Sequence, residues 1–404
     1  MLEEFKPRNQ NEVKIFTCGP SVYRRPHIGN YRTFLYEDLL VRYLEYKKFT
    51  VNRVINYTDV EDKTIEEADG LGLTADELTA KVKDTFRKEA ELLHIKLPDF
   101  IPSSASSVDA AAGIIRQLMD KGYAYRYDGN IFFDPLKKKD FGKLAHLDMS
   151  KWPKNKVRFK KDTYPGTRWN RGDFILWHGS DETGDVAWDT EIGRGRPSWN
   201  VQDPAMIYKH LGLEIDINCG GIDNIVRHHD YNIAIIEALS GREFAKYYMH
   251  GEHLFVEGKK MSKSLGNIYY PMELVADGYD ARQIRHFLIS THYRKKLNYT
   301  VKAYEKSCSK LTQLADKIAK LETLSLNPKG APGNAGDISA GIIRALFEAH
   351  MDNDLNAGAF LDELDPALSA LLNDSHFSAA EADMILHELK AANEVLQVLS
   401  FRSR

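Results

Sequence analysis

Three cysteines in 404 residues are too few for a disulfide framework. That scarcity points to a reducing compartment, the cytoplasm. No apolar run is long enough to span a bilayer. The opening stretch MLEEFKPRNQNEVKIF is acidic and polar and lacks the apolar core of a signal peptide. There is no internal repeat. Neither charge sign dominates: 55 basic and 58 acidic residues leave a net charge of -3. A chain basic throughout is therefore excluded, while a local basic patch for a nucleic acid is not. What is present is core-forming material, 43% hydrophobic and 11% aromatic. The length implies two or three domains.

Along the chain, residues 13–19 (VKIFTCG) form a short β-rich run stopped by Gly-Pro. Residues 33–48 carry apolar side chains at helical spacing, and 49–58 (FTVNRVINYT) return to a β pattern. Strand, helix, strand implies a βαβ unit and a parallel sheet. Thr74 and Glu77 have the spacing of a capping box at the head of another helix. From about 123 to 203 the texture changes and reads as an insertion. It opens on a hairpin at Asp128-Gly129 and continues into a basic stretch interleaved with aromatics. From Ala281 onward the pattern is almost entirely helical, broken by the Pro/Gly/Asn-rich stretch 324–339, which reads as a flexible linker. The tail SFRSR reads as frayed. Cys308 reads as a helical packing residue.

Two stretches carry chemistry. In Pro26-His27-Ile28-Gly29-Asn30, proline fixes the entrance of a helix. Gly29 allows close approach to the backbone. His27 stands at a helix N-terminus, where free N–H groups favour anions such as a triphosphate. In VEGKKMSKSLGN, Lys259, Lys260 and Lys263 surround two serines and lead to Gly266. Such a loop can close over a polyphosphate and neutralise charge growing there. Either alone is a weak signal. Both in this order, within an α/β chain, are a strong one.

Residues 27–30 (HIGN) and 260–264 (KMSKS) resemble the two signatures of class I aminoacyl-tRNA synthetases. FTCGPSVYRRPHIGN, NYTDVEDKTIEEA, GRPSWNVQDPAM, GGIDNIVRHHDYNIA and FLISTHYRKKLNYT resemble, in order, the cysteinyl-tRNA synthetases. The resemblance implies an α/β fold: a Rossmann-like catalytic domain over 1–280 with its insertion, then a helical stem-contact-like segment, 281–323. The linker and a C-terminal helical bundle, 340–404, would follow. It implies ATP-dependent formation of an aminoacyl-adenylate, with Mg, and transfer as in a cysteine–tRNA ligase. The chain would work in the cytoplasm as a monomer, without a membrane. His27, Asn30, Lys260 and Lys263 would be catalytic. Gly19, Pro20, Gly29, Gly221, Asp223, Met261 and Ser262 would join them around ATP. The amino-acid pocket would comprise Cys18, Thr58, Trp199, Asp203, His228 and Asn232.

The family holds zinc with two cysteines, a histidine and a glutamate, and zinc prefers thiolate to hydroxyl. Cys18 and His228 match two of those ligands, while Asp203 and Asn232 stand at the other two positions. Cys18, Asp203 and His228 are thus the candidate metal ligands. A metal-free pocket with another amino-acid specificity is the competing expectation. Asn200 and Gln202 also depart from the family's usual residues, and Cys219 stands where glycine is usual, placing a further thiol near the pocket. His229 and Asp230 read as helix surface or locally bonded. The family's anticodon-reading domain would begin about where the chain stops, so contact with a tRNA acceptor stem is expected and anticodon reading is in doubt. The alternatives are a paralogue passing cysteine or another amino acid to a small amine, carrier or peptide, and a non-catalytic binding module.

Overall fold

The computed structural model describes residues 3–148, 172–180, 186–326 and 341–402. Strand β1 (Glu12–Thr17) leads through helix α1 (Ile28–Tyr46) to strand β2 (Thr50–Ile55). β1 and β2 pair in parallel, from Glu12 opposite Thr50 to Thr17 opposite Ile55. Helices α2 (Asp62–Leu71), α3 (Ala75–Leu92) and α4 (Val108–Asp120) follow. Thr74 and Glu77 do form a capping box on α3: each accepts from the other's backbone N–H, at 3.2 and 2.9 Å.

The expected insertion contributes an antiparallel sheet of β3 (Ala124–Tyr127), β4 (Asn130–Phe133), β5 (Phe174–Gly179) and β6 (Gly195–Pro197). Asp128 and Gly129 join β3 to β4 with φ of 47° and 75°. Positive φ at both central residues is what a tight hairpin turn needs to match the strand twist. Most of the basic stretch of this region lies outside the described residues.

The chain then returns to the first sheet through α5 (Trp199–His210), β7 (Ile215–Gly221), α6 (Asp230–Ser240) and β8 (Ala245–Gly251). The order is β2-β1-β7-β8, all parallel. Strand alternation divides the packing between two faces. Val13, Ile15, Ile217 and Cys219 pack with α1, whereas Phe16 and Val54 pack with Ile207 of α5 and with Ile233 and Ile236 of α6.

A small sheet of β9 (Leu254–Val256), β10 (Lys259–Lys260) and β11 (Leu297–Tyr299) covers one end of the parallel sheet. Helices α7 (Pro271–Ala276), α8 (Ala281–Ile289), α9 (Val301–Ser325), α10 (Ile342–Met351), α11 (Ala357–Asn373) and α12 (Ala379–Leu396) complete the described chain. The helical pattern expected after 281 is thus interrupted by β11, whose Leu297 and Tyr299 are buried beside Leu254 and Val256 of β9. α9 continues through Ser325, and the rest of the expected linker lies outside the described residues apart from Leu326. The tail is not frayed through Arg402: Ser400 Oγ accepts from Arg282, and the Arg402 N–H donates to Glu322 at 2.9 Å. No helix among the described residues is long and apolar enough to cross a membrane.

The C-terminal helices are fastened to the sheet domain by buried charge. Arg285 of α8 pairs with Asp38 of α1 at 2.5 Å, both side chains fully buried. Arg285 also donates to the carbonyls of Leu93 and Leu396, so α1, the end of α3 and α12 meet on one guanidinium. Removing either charge would strand the other, which is costly in an apolar interior.

Several imidazoles share this interior. Burial lowers His250 and His286 to about 4 and holds His229 well below its ordinary value. Their unfolded counterparts take protons near pH 6.5, so the unfolded state binds more protons as pH falls. Stability should be full above that value and decline as the pH falls towards 4. Each such histidine adds a slope of about 1.4 kcal/mol per pH unit. Urea titrations at pH 7.5 and 5.5 should show the decline, and His286→Gln should shallow it. An unchanged slope in that variant would contradict the assignment.

Candidate active site

In a parallel sheet ordered β2-β1-β7-β8, the chain leaves β1 towards one side and resumes with β7 on the other. The loops beyond β1 and β7 diverge, and ligands lodge at such switch points, outside the carboxyl ends of the strands. A cavity of about 230 Å³ lies there. Its walls are His27, Gly29, Asn30 and Thr33 from the head of α1, Gly221 at the end of β7 and Asp223 just beyond, the run 251–254 from the end of β8 to the start of β9, and Lys260 with Met261.

Seven residues singled out in the sequence therefore line one space: His27, Gly29, Asn30, Gly221, Asp223, Lys260 and Met261. Thr33 and the wall 251–254 were not foreseen. The signal available for the wall was its place at the carboxyl end of a parallel strand. Gly19 and Pro20, expected beside ATP, are not among the walls of this cavity, and their contacts run to the end of β2. The Gly19 N–H donates to Asn56 Oδ1 at 2.9 Å, and a Cβ on Gly19 would stand 1.8 Å from the Asn56 carbonyl oxygen. The Pro20 carbonyl accepts from the Thr58 N–H at 3.3 Å. Both residues lock the β1 loop to the end of β2.

His27 is the N-cap of α1. Its Nδ1 accepts from the backbone N–H groups of Gly29 and Asn30, at 3.1 and 3.3 Å, while Asn30 Oδ1 accepts from the His27 N–H at 3.0 Å. A ring nitrogen that accepts carries no proton, so the proton of neutral His27 sits on Nε2. Burial lowers the ring's pKa and favours that neutral form. The cap thus sets the tautomer: His27 offers one N–H donor.

The lysine loop is braced from within. Asn267 accepts from the Ser262 N–H at 2.9 Å and donates to the Lys260 carbonyl at 3.2 Å. Gly266 closes the turn at φ 61°, and Lys263 opens the short helical turn Lys263–Leu265. Lys260 Nζ lies 3.3 Å from His253 Nε2.

Elsewhere the structure brings together Cys18, Asp203 and His228, whose donor atoms all lie within 4.8 Å of one another. His228 Nδ1 stands 3.7 Å from Asp203 Oδ2. Asp203 Oδ1 accepts from Asn56 Nδ2 at 3.0 Å, whereas Oδ2 is buried with no hydrogen-bond partner among the described residues. Thiol, carboxylate and imidazole are donors that zinc accepts, and the orphaned oxygen faces the histidine, so these three residues fit the ion. Burial, then the carboxylates of Asp203, Glu37 and Asp223, push the Cys18 thiol well above its ordinary value. A cation at the cluster would act in the opposite sense.

The Trp199 ring lies 4.5 Å from that of His228. Thr58 Oγ1 lies 3.4 Å from Asn56 Nδ2. Asn232, in α6, is buried with its Nδ2 unpartnered among the described residues. Asn56, missed in the sequence, joins Gly19 to Asp203. Gln202 supports α5 from below, donating to the Val60 and Pro197 carbonyls at 2.5 and 3.1 Å, and Asn200 donates to the Ile175 carbonyl at 2.8 Å.

Two expectations need correction. Cys219 is buried on the α1 face of the sheet with Ile217, while Cys18, one step past Thr17, looks towards α5 and α6. Alternation puts the two thiols on opposite faces. His229 and Asp230 are not helix surface. His229 is fully buried, its Nδ1 2.8 Å from His250 Nε2, and the Asp230 carboxylate accepts from the Leu144 and Ala145 N–H groups, both at 3.0 Å. A one-turn π-helix, Ile225–His229, opens α6 and presents His228 to the cluster. Such bulges recur at functional sites.

Residues 4–309 match the family described as tRNA synthetases class I (C) catalytic domain. The chain is similar to the cysteine–tRNA ligase of Chlamydia pneumoniae, 36% identical over 397 residues that span 97% of this chain and 83% of that one. It is equally similar to that of Protochlamydia amoebophila, 36% identical over 414 residues, 100% of this chain and 84% of the relative. In fold it is similar to the methionyl-tRNA synthetase of Mycobacterium tuberculosis in complex with methionyl-adenylate (TM-score 0.67, 16% identity, covering 96% and 90% of the two chains). The LeuRS of Agrobacterium radiobacter, solved with tRNA and LeuAMS, is similar at TM-score 0.70, 11% identity and 97% and 86% coverage.

Gly19→Ala tests the floor of this site. A methyl group pressed on the Asn56 backbone should cost about 1–3 kcal/mol, read as a lowered urea midpoint. An unchanged midpoint would mean that the two loops are not in contact.

Proposed function

The chain belongs to the class I tRNA synthetases of the cysteinyl branch and is an aminoacyl-adenylate-forming ligase; from that premise we propose which residues do the work. The observation that carries the assignment is a cavity at the sheet crevice lined by His27 and Lys260, from the two signature stretches, together with Gly221 and Asp223. An amino-acid carboxylate attacks the α-phosphorus of ATP. The bond from that phosphorus to the oxygen bridging to the β-phosphate breaks, and pyrophosphate leaves. The carboxylate is already ionised, so no general base is required. Catalysis is positioning and electrostatics.

The His27 Nε2–H donates to a phosphate oxygen, and Asn30 holds the head of α1 in its capped form. Gly29 and Gly221 let the nucleotide lie against the backbone. Asp223 accepts from the ribose hydroxyls. Lys260 and Lys263, presented by Met261 and Ser262 on the braced loop, balance the charge of the departing pyrophosphate, and Mg accompanies the triphosphate. In the second step a tRNA hydroxyl attacks the adenylate carbonyl, an ester forms and AMP leaves. Similarity over the whole chain to cysteine–tRNA ligases favours tRNA as acceptor over a small amine or a carrier.

Cys18, Thr58, Trp199, Asp203, His228 and Asn232 form the amino-acid pocket in this reading. Cys18, Asp203 and His228 would hold zinc. When bound, zinc supplies thiol recognition, since it takes sulfur over oxygen and lowers the pKa of a coordinated thiol. Trp199 packs against the His228 ring, and Asn56 fixes the Asp203 carboxylate. Cysteine is the amino acid that this donor set suits. A reducing cytoplasm suits the free thiols.

Lys263→Ala should slow ATP–pyrophosphate exchange by about 10²- to 10³-fold with ATP binding nearly unchanged. A rate near wild type would remove the loop from the mechanism. The metal assignment has its own measurement. The protein should carry about one zinc per chain by elemental analysis, and Asp203→Ala should lower that content markedly. Exchange with cysteine should be lost on chelation. Cysteine-dependent exchange from a protein containing no zinc would overturn the metal assignment and leave the activation chemistry standing.

A further inference from the structure

Within the wall 251–254, Glu252 and His253 join the end of β8 to the start of β9, and such a connection on a nucleotide pocket needs bracing. Arg32, five residues beyond the His27 cap of α1, is buried to 3% exposure behind it. Its guanidinium donates to the carbonyls of Glu252 and His253 at 2.6 and 3.2 Å, and to those of His292 and Lys295 at 3.1 and 2.5 Å. The Glu252 N–H donates to the Tyr293 carbonyl at 2.7 Å, and the Leu297 N–H donates to the His253 carbonyl at 3.2 Å. The wall is therefore only as well placed as the outer segment 292–295.

From the C-terminal helices, Asp354 reaches that segment. Asp354, in the turn between α10 and α11, takes three consecutive side chains. Tyr293 Oη donates to Oδ1 at 2.6 Å, Arg294 Nε donates to Oδ2 at 2.6 Å, and His292 Nε2 lies 2.9 Å from the Asp354 carbonyl oxygen. Asp354 and Leu355 both sit in the left-handed region, at φ 60° and 57°. Two adjacent residues there, neither a glycine, are strained, and such strain persists only where surrounding contacts impose it.

We infer that Asp354 is a positioning residue for the nucleotide wall and for Lys260, which meets the wall at His253, so that the C-terminal helices hold part of the active site in register. The inference rests on the adenylate-forming reading above. Asp354 touches neither nucleotide nor reacting atoms in this reading; it acts through 292–295 and Arg32.

Asp354→Asn is the informative variant, because asparagine is at ease at positive φ and still accepts from Tyr293, while the ion pair with Arg294 is lost. The control is Glu388→Ala. Glu388 accepts from the N–H groups of Gly341, Ile343 and Arg344 at the head of α10, so its loss loosens the same helices without touching the wall. The readouts are the ATP dissociation constant by calorimetry, and KM for ATP and kcat in ATP–pyrophosphate exchange, normalised to active sites. Asp354→Asn should raise Kd and KM for ATP by about tenfold and lower kcat less, with Glu388→Ala at wild-type values. Tyr293→Phe, which keeps its ring stack on Tyr36, should move in the same direction by less. Unchanged ATP constants in Asp354→Asn would overturn the inference, as would equal shifts in the Glu388 control. A wild-type protein that binds ATP but exchanges with no amino acid would sink the underlying reading instead, while the ATP Kd would still judge the role of Asp354.

Discussion

The constraint on which the site depends is the alternation of side chains at the end of a parallel sheet. β1 stops at Thr17, and the next residue must look to the opposite face. Cys18 therefore turns towards α5 and α6, where Asp203 and His228 wait, and Cys219 on the neighbouring strand turns into the α1 core. The crevice between β1 and β7 follows from the strand order, and α1 begins at its edge with an imidazole as its cap. A shift of one residue in the β1–β7 register would exchange the faces and empty the donor cluster.

Around that frame, buried polar groups act as fixtures. Asn56 divides its amide between Gly19 and Asp203, and Gln202 spans two carbonyls beneath α5. Arg285 and Arg32 collect carbonyls from segments far apart in sequence. A buried guanidinium contributes little net stability, because desolvation offsets much of what its bonds return. It does specify geometry, since few arrangements satisfy so many donors at once. Arg32 and Asn56 do so beside the loops that bear the chemistry, where loose placement would be felt most.

The parts of the fold written in local periodicity were legible. Residues 13–58 announce a βαβ unit, Asp128-Gly129 a hairpin, Thr74 and Glu77 a cap. His27, Gly29, Asn30 and Lys260 were legible because each motif is contiguous and each residue type suits phosphate. The wall 251–254 was not, since nothing in its own letters shows that Arg32 and Tyr293 hold it in place. Cys219 was misjudged because it stands where the family usually has glycine; counting alternation from Ile217 would have put it in the core. His229 and Asp230 look like surface in a polar run, but the insertion and β8 cover them through Leu144, Ala145 and His250. The three metal-ligand candidates share no local pattern, and only the folded chain brings them together.

The pairing of β1 with β7 also bears on how the protein is made. Thr17 meets Cys219 across the sheet, with α2 to α5 and the entire antiparallel insertion emerging between them. Translation at roughly 5–20 residues per second leaves β1 unpaired along that edge for about ten seconds or more after it appears. An apolar strand with open N–H and C=O groups is a template for the wrong partner. The nascent chain is thus exposed along one edge of β1 until β7 emerges, before its site exists.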